Sequence, residues 1–186
     1  MFKLKIYLME NTVKASKKSI MINYGLLLAV LSILVSVINY SFGDIYEPHW
    51  SVQAIGVALM LALIVLGIKK YKEFNGGYLT LGEAIKIGIG IAFVSVLIFM
   101  VYFYVFAKFI EPEFINTSIE INMEKALDAN PNISDEILDT QRELGKNYFF
   151  ILAFGFMLIF NLFVGFVTSL ITGMAMKHTD EEITSI

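Results

Sequence analysis

Cysteine is absent from this 186-residue sequence, and histidine occurs only twice. A chain without cysteine has no disulfide bonds, no thiolate zinc or iron–sulfur sites and no cysteine nucleophile. Charged residues make up 17% of the chain, whereas about a quarter is usual for soluble globular domains. Thirteen of the 14 basic residues are lysine, and Arg142 is the other. The composition offers few of the side chains from which catalytic and metal-binding sites are built.

Long apolar stretches are what the sequence has instead. Hydrophobic residues make up 57% of the chain, and its mean hydropathy is +0.70. A helix needs about 20 apolar residues to cross a membrane, and lipid leaves backbone groups no partner outside a helix or a closed barrel. Four stretches approach or exceed that length: residues 20–42, 52–68, 85–109 and 148–176. We predict an all-α, polytopic transmembrane four-helix bundle that forms one membrane domain over residues 1–186.

Positive charge is concentrated on one side of the predicted membrane. Ten lysines lie beside the spans at the two termini and at the second connection: Lys3, Lys5, Lys14, Lys17, Lys18, Lys69, Lys70, Lys72, Lys86 and Lys177. The connection 43–51 has no basic residue, and the long loop 110–147 has three, with Lys108 at its border. Because positively charged loops stay in the cytoplasm, we expect both termini to be cytoplasmic and loop 110–147 to be external.

The start of the chain does not resemble a secretory signal. Residues 1–19 carry five lysines and no apolar core, and a signal peptide needs such a core. We therefore expect the first span to stay in the mature protein, whether translation starts at Met1 or at Met9. The excess of lysine over arginine is compatible with an AT-rich bacterial genome. We expect a multi-pass protein of the bacterial cytoplasmic (inner) membrane.

Small residues recur at helical spacing in three of the four spans. Membrane helices pack closely where small residues let their backbones approach. The residues that we expect at helix contacts are Gly25, Ala29, Ala84, Gly88, Ala92, Asn161, Gly165, Ser169 and Gly173. Packing within one bundle is the simpler interpretation of these residues, and a seam with a second copy or a partner is the alternative. Asn161 is the only amide deep within a span. We expect it to bond across helices, and binding of a polar ligand is the alternative.

The segment that opens the third span, NGGYLTLGEAIK, has the most distinctive local pattern. Gly76 and Gly77 predict a turn, and the spacing of Thr80 and Glu83 predicts a capping box at the start of a helix. We expect Glu83 to stabilise the first turn of this helix and Lys86, one turn later, to extend to the lipid headgroups. An ion pair between the two side chains is the alternative.

This segment resembles the DUF4199 family of uncharacterised bacterial membrane proteins. The residues that carry the resemblance are Gly76, Gly77, Thr80, Gly82, Glu83, Ala84 and Lys86. The lysine-bearing leader, the four spans and the long acidic loop before the fourth span extend the likeness over nearly the whole chain. The resemblance implies a four-span membrane fold. It implies no activity, substrate or catalytic residue, since none is established for the family.

The long loop 110–147 is acidic, with nine carboxylates against three basic residues. Its apolar positions predict two short helices, separated by Asn130-Pro131-Asn132, with Ser134 as the N-cap of the second. We expect this short helical hairpin to cap the bundle. Its acidic residues lack the spacing of a calcium loop, so we predict a solvated acidic surface and no metal site.

Recognisable catalytic motifs are missing from the sequence. No His-Glu-x-x-His or Gly-x-Ser-x-Gly motif occurs. His49 and His178 are predicted on opposite sides of the membrane, where they cannot share one site. We therefore predict no catalytic residue and no cofactor. A sequence pI of about 5.4 argues against nucleic-acid binding.

The interpretation that we favour at this stage is a non-enzymatic accessory or scaffolding subunit of a membrane complex. The lipid bilayer would be its surroundings, and a membrane-protein partner or a second copy would bind it. The first alternative is an oligomeric carrier for a small molecule or lipid, with Asn161, Ser169 and Thr172 along its path. The second alternative is an intramembrane enzyme on envelope precursors, which requires Glu83 and Lys86 to converge in one pocket.

Overall fold

The computed structural model describes residues 16–178. The choice between Met1 and Met9 as the first residue lies outside the described residues, and so do Lys3, Lys5 and Lys14 of the predicted leader.

Helices account for nearly all of the described chain. They are α1 (Lys17–Phe42), α2 (Trp50–Phe74), α3 (Leu81–Val105), α4 (Phe114–Ala129) and α5 (Asp135–Met176), with a π-helical turn at Phe106–Ile110 directly after α3. Four of them are long and apolar enough to cross a membrane: α1, α2, α5 and α3 together with its π-helical turn. The predicted all-α, four-span fold is therefore confirmed.

The long loop differs from the prediction in one respect. Its first predicted helix is α4, but its second is not a separate short helix. It is the beginning of α5, which runs without interruption for 42 residues, or about 63 Å at 1.5 Å per residue. A hydrocarbon core is about 30 Å thick, so the first part of α5 projects from the membrane and pairs with α4. The helix passes through Gly145, since a single glycine weakens a helix without ending it.

The other three spanning helices are arranged around α3. This helix packs most extensively against α1 and α5, and α2 lies against all three. The two ends of the bundle differ in what they carry. The terminal end is where α1 begins and α5 ends, and the hairpin end is where α4 and the first part of α5 lie.

Close packing is concentrated in the half of the bundle nearer the terminal end. In α2, the buried residues run from Met60 to Tyr71, whereas Trp50 and Ile55 near its other end are exposed. In α5, the buried residues of the spanning part run from Gly165 to Gly173. The main core cluster also includes Ile20, Leu28, Ala84, Ile87, Ile91 and Ala92. The helices thus meet tightly at the terminal end and less tightly towards the hairpin end.

Candidate functional site

A seam of small residues brings α3 and α5 into close contact. A β-carbon on Gly165 would lie 2.8 Å from Cβ of Ala92, and one on Gly173 would lie 2.8 Å from Cβ of Ala84. A β-carbon on Gly88 would overlap the Ser169 side chain. The small-residue seam therefore consists of Ala84, Gly88 and Ala92 on α3 facing Gly173, Ser169 and Gly165 on α5. Larger side chains would force these two helices apart.

The small residues of α1 lie against the opposite side of α3. Ala29 is fully buried, and a β-carbon on Gly25 would come within 2.7 Å of Val94 and 3.0 Å of the Ile91 carbonyl oxygen. These contacts lie within one chain. They neither require nor exclude a second copy.

The glycine-rich segment between α2 and α3 forms the turn at the terminal end. Gly76 and Gly77 have φ values of +69° and +91°, which side-chain-bearing residues rarely adopt. Thr80 caps α3, and its side chain and that of Glu83 form the predicted capping box. Gly82 lies in open space, where an added β-carbon would meet no atom within 4 Å.

Glu83 is the centre of a polar cluster at this end. Its carboxylate lies 2.7 Å from Lys17 Nζ, and it accepts hydrogen bonds from the Tyr71 hydroxyl at 2.8 Å and the Thr80 backbone N–H at 3.0 Å. Lys86 is exposed, and no ion pair joins it to Glu83 within residues 16–178. The alternative of a Glu83–Lys86 ion pair is therefore not present among the described residues, and Glu83 pairs instead with Lys17 at the start of α1. Neither Glu83 nor Lys86 lines the two cavities described below.

The end of the described chain is attached to the same turn. Leu79 and His178 form a short antiparallel bridge through reciprocal backbone hydrogen bonds of 3.0 Å. Lys72 donates to the Met176 carbonyl oxygen at 2.8 Å. The family-like segment thus ties α1, α2, α3 and the end of α5 together. These contacts account for Thr80, Glu83 and the two turn glycines as parts of a structural junction.

Two adjoining cavities lie between the spanning helices towards the hairpin end. One has a volume of about 510 Å³ and is lined by residues of α1, α2, α3 and α5. The other has a volume of about 300 Å³ and lies closer to the hairpin. Gly56 lines both of them. We call the two cavities together the hairpin-side cleft. Phe156 and Phe160 line its larger cavity and are also exposed on the bundle surface, so the cleft opens sideways between α2 and α5.

The roof of the cleft is built by the α1–α2 connection and the start of α4. Ile45, Pro48 and Phe114 line the smaller cavity. The Tyr46 ring stacks on Phe114 with a centroid distance of 5.7 Å. The Tyr40 hydroxyl, at the end of α1, donates to the Glu111 carboxylate at 3.1 Å. These contacts hold the α1–α2 connection and the start of α4 together over the smaller cavity.

A salt bridge joins the α1–α2 connection to the hairpin. Lys125 Nζ on α4 lies 2.7 Å from the Glu47 carboxylate. Both side chains are more than half exposed, so the bridge is screened by water and salt. The roof therefore rests mainly on its aromatic and hydrogen-bonded contacts.

The lining of the cleft is apolar with a few neutral polar groups. These are Ser32, Ser36, Asn39, Gln53, Ser95 and Asn161. No described residue that lines either cavity carries a charge. Asn161 was expected to bond across helices, but its amide donates to the Met157 carbonyl of its own helix at 2.8 Å.

The polar path of the carrier alternative is only partly present. Asn161 lines the larger cavity. The Ser169 hydroxyl donates to the Gly165 carbonyl, and the Thr172 hydroxyl donates to the Thr168 carbonyl. These two residues lie in the packed half of the bundle and line neither cavity. Gly56, Gln53 and Ser95 line the cleft instead, and no motif in the sequence singles them out.

The acidic hairpin is held by ion pairs around one arginine. Arg142 on α5 donates to both carboxylate oxygens of Glu120 on α4, at 3.0 and 3.2 Å, and to Asp139 at 2.9 Å. The hydrogen bonds from Arg142 hold the pKa of the Glu120 carboxyl below its usual value. Across residues 16–178, no group of three or more His, Asp or Glu side chains is arranged to hold a metal ion.

The histidines lie at opposite ends of the bundle. His49 caps the start of α2 by accepting from the Ser51 backbone N–H through Nδ1, and the His178 ring stacks on Tyr78 at the terminal end. They do not form one site.

Four apolar helices, three of them packed around a central α3, with a hairpin beyond one end, define a multi-pass membrane protein. The sequence profile of DUF4199, described as a protein of unknown function, matches residues 23–178. Because this match covers most of the chain, the protein belongs to the DUF4199 family. Comparison with curated proteins and with solved structures found no match.

Proposed function

We propose that this protein binds a membrane lipid in the hairpin-side cleft, which corresponds to the carrier alternative rather than to the scaffold that the sequence favours. The cleft itself is the observation that supports this function. Its cavities of about 510 and 300 Å³ fall in the range of ligand pockets, about 300–1,000 Å³. Its sideways opening faces the part of the membrane in which lipid chains lie.

The shape of the bundle supports a ligand that approaches from the membrane. Leu28 and Met60 are buried to 2% and 5% exposure, yet both line the larger cavity. An apolar chain that reached them would leave the bilayer without being exposed to water. Binding would therefore require little desolvation, and selectivity would come from shape and from the neutral polar groups of the lining.

The orientation proposed for the protein follows from its lysines. With both termini in the cytoplasm of a bacterial cell, the roof and the acidic hairpin lie outside, and the cleft opens to the outer leaflet of the cytoplasmic membrane. Lys69, Lys70 and Lys72 at the terminal end then meet the anionic headgroups of the inner leaflet.

Gly56 allows a direct test of ligand binding. A β-carbon at this position would meet no atom within 4 Å, and Gly56 lines both cavities, so Gly56→Phe introduces a ring that occupies cleft volume. Gly155→Phe is the matched control, since Gly155 is also in open space and lines neither cavity. Each variant is purified from its native membrane in mild detergent, and retained lipid is measured by native mass spectrometry.

We expect Gly56→Phe to lose at least about fivefold of the lipid that the wild type retains, while Gly155→Phe keeps it. Equal retention in all three proteins would overturn the proposed function. The same outcome would identify any lipid found on the wild type as lipid bound at the outer surface of the bundle.

A second candidate function, the accessory subunit, has support at the hairpin. Ile137 and Leu144 are 51% and 50% exposed on the projecting part of α5. They lie seven residues apart and so on one face of the helix. In water such a face is a typical contact for a partner protein.

The double variant Ile137→Ser/Leu144→Ser tests this candidate. Affinity purification of a C-terminally tagged copy, followed by native mass spectrometry, would recover a stoichiometric partner with the wild type and lose it with the variant. Ile151→Ser/Ile159→Ser, which changes exposed residues of the spanning part of α5, is the control. Recovery without any foreign protein would contradict the candidate.

A further inference from the structure

We propose that the lipid bound in the cleft is uncharged and carries a carbonyl or hydroxyl oxygen that bonds to Ser95 and Asn161 near the middle of the membrane. This inference rests on the proposed function and names the ligand class of the same site. It depends on three observations: an unpartnered hydroxyl, a neighbouring amide at the same depth, and a lining without charge.

Ser95 differs from the other buried hydroxyl residues of the bundle. Its side chain is 4% exposed and lines the larger cavity. It makes no hydrogen bond to any residue within 16–178, whereas Thr168, Ser169 and Thr172 donate to carbonyls of their own helix. No side-chain oxygen or nitrogen in the described chain is both enclosed and unpartnered. The Ser95 hydroxyl is therefore open to the cavity, where a ligand oxygen can pair with it.

Asn161 lies at the same depth as Ser95. In the small-residue seam, Gly165 faces Ala92 and Ser169 faces Gly88. Because α3 and α5 are antiparallel, the next turn of this register places Asn161 opposite Val96, beside Ser95. Both residues line the larger cavity. The Asn161 amide nitrogen donates to Met157, which leaves its carbonyl oxygen to accept and its second N–H to donate.

The absence of charge from the lining decides between lipid classes. No described lining residue is basic or acidic, so a phosphate group inside the cleft would be desolvated without a counter-ion. A hydroxyl, ester or quinone oxygen needs only hydrogen bonds. Ser95 and Asn161 supply both a donor and an acceptor for such a group.

The experiment compares two probes with identical chains. The full-length protein is reconstituted in bilayer nanodiscs doped with dioleoylglycerol or dioleoylphosphatidylglycerol, and bound probe is counted by native mass spectrometry after release. Ser95→Ala removes the free hydroxyl and leaves the cavity shape almost unchanged. Ser169→Ala is the matched control, because it removes a hydroxyl that is already bonded within its helix.

We expect the wild type to retain several times more dioleoylglycerol than dioleoylphosphatidylglycerol. Ser95→Ala should retain about threefold to tenfold less dioleoylglycerol, the effect of one hydrogen bond within a membrane protein. Ser169→Ala should retain as much dioleoylglycerol as the wild type.

Two results would overturn the inference: equal retention of the two probes, or unchanged dioleoylglycerol retention in Ser95→Ala. Both are distinguishable from failure of the proposed function. If Gly56→Phe still excludes lipid while the two probes bind equally, the cleft binds lipid chains but does not select uncharged ones. If Gly56→Phe excludes neither probe, the cleft is not the binding site.

Discussion

Two glycines in adjacent helices illustrate how the two halves of the bundle differ. A β-carbon on Gly88 in α3 would overlap Ser169, lie 2.9 Å from its Oγ and lie 3.1 Å from Ile64. One on Gly56 in α2 would meet no atom within 4 Å. The same residue type therefore has opposite roles: close helix contact in the terminal half, and open space in the hairpin half. The comparison indicates that packing at one end holds the bundle together and leaves the other end more open, as the proposed lipid binding requires.

The polar residues follow the same division. Ser169 and Thr172 bond to their own helix within the packed half. Ser95 lines the cleft and has no hydrogen-bond partner within residues 16–178. In a membrane an unpaired hydroxyl is costly, because neither water nor lipid chains compensate for it. Its presence in the open half is therefore consistent with a binding role.

The largest effect is expected from adding one methyl group in the packed half. Gly88→Ala should destabilise the protein by about 2–3 kcal/mol, since overpacking a tight contact forces neighbouring helices to shift. Gly56→Ala, the matched change in the open half, should leave stability unchanged or raise it by up to about 1 kcal/mol, because alanine favours a helix more than glycine does. Thermal unfolding in one detergent, followed by circular dichroism, measures both. Similar losses in the two variants would contradict the division into a packed and an open half.

A smaller effect is expected at the junction of the terminal end. Glu83→Ala removes the capping box, the ion pair with Lys17 and the hydrogen bond from Tyr71. Loss of a helix cap usually costs about 0.5–2 kcal/mol, and we expect about 1–2 kcal/mol here. Glu73→Ala is the control, since its ion pair with Lys70 is longer, at 3.3 Å, and half exposed. Equal unfolding temperatures for the two variants would show that the junction does not stabilise the packed half.

The salt bridge at the roof should matter less. Lys125→Ala removes the ion pair with Glu47, and exposed pairs contribute about 0.2–1 kcal/mol. Hydrogen exchange in the α1–α2 connection should accelerate by no more than about fivefold, while exchange in the small-residue seam stays unchanged. Lys70→Ala, at the terminal end, should leave the connection unchanged. Faster hydrogen exchange in the small-residue seam of Lys125→Ala would mean that the two halves are coupled.

The pH dependence of the hairpin is the smallest predicted effect. Because Arg142 lowers the pKa of Glu120 in the folded state, this pair stabilises the hairpin fully above the unfolded glutamate pKa of about 4.3. The stabilisation is lost as the pH falls through the lower folded pKa. Carboxyl ¹³C NMR, assigned with Glu120→Gln, should give Glu120 a pKa below the usual value. Arg142→Gln should raise it towards the usual value, and an unchanged pKa would contradict this ion pair.

The spans and the turn into α3 could be predicted from local sequence. Apolar length marks the spans, and Thr80 with Glu83 predicts the capping box that the structure contains. The partner of Glu83 could not be predicted in the same way. Spacing allows a pair with Lys86, but Lys17 is the partner once α1 packs against α3. The continuity of α5 was also missed, because the sequence change near Tyr148 marks the membrane boundary and not a break in the helix.

The cleft could not be predicted from the sequence, because it depends on where helices separate. Gly56 has no distinctive pattern around it, and Ser95 lies in an apolar stretch like many serines of membrane helices. Only the packing of the four helices shows that Gly88 is in close contact with a neighbouring helix and that Gly56 is not. Small residues therefore predict close approach, but they do not distinguish a packed position from one that lines a cavity.

The most direct test of the central claim is to map where a lipid chain contacts the protein. A diacylglycerol with a diazirine on its acyl chain is incorporated into proteoliposomes, photolysed, and its adducts are located by mass spectrometry. Leu28, Met60 and Ser95 are buried and line the larger cavity, so bilayer lipid outside the bundle does not reach them. We predict adducts on these residues in the wild type and their loss in Gly56→Phe. Adducts confined to outward-facing residues such as Ile151, Ile159 and Ile171 would contradict the claim that the cleft binds lipid.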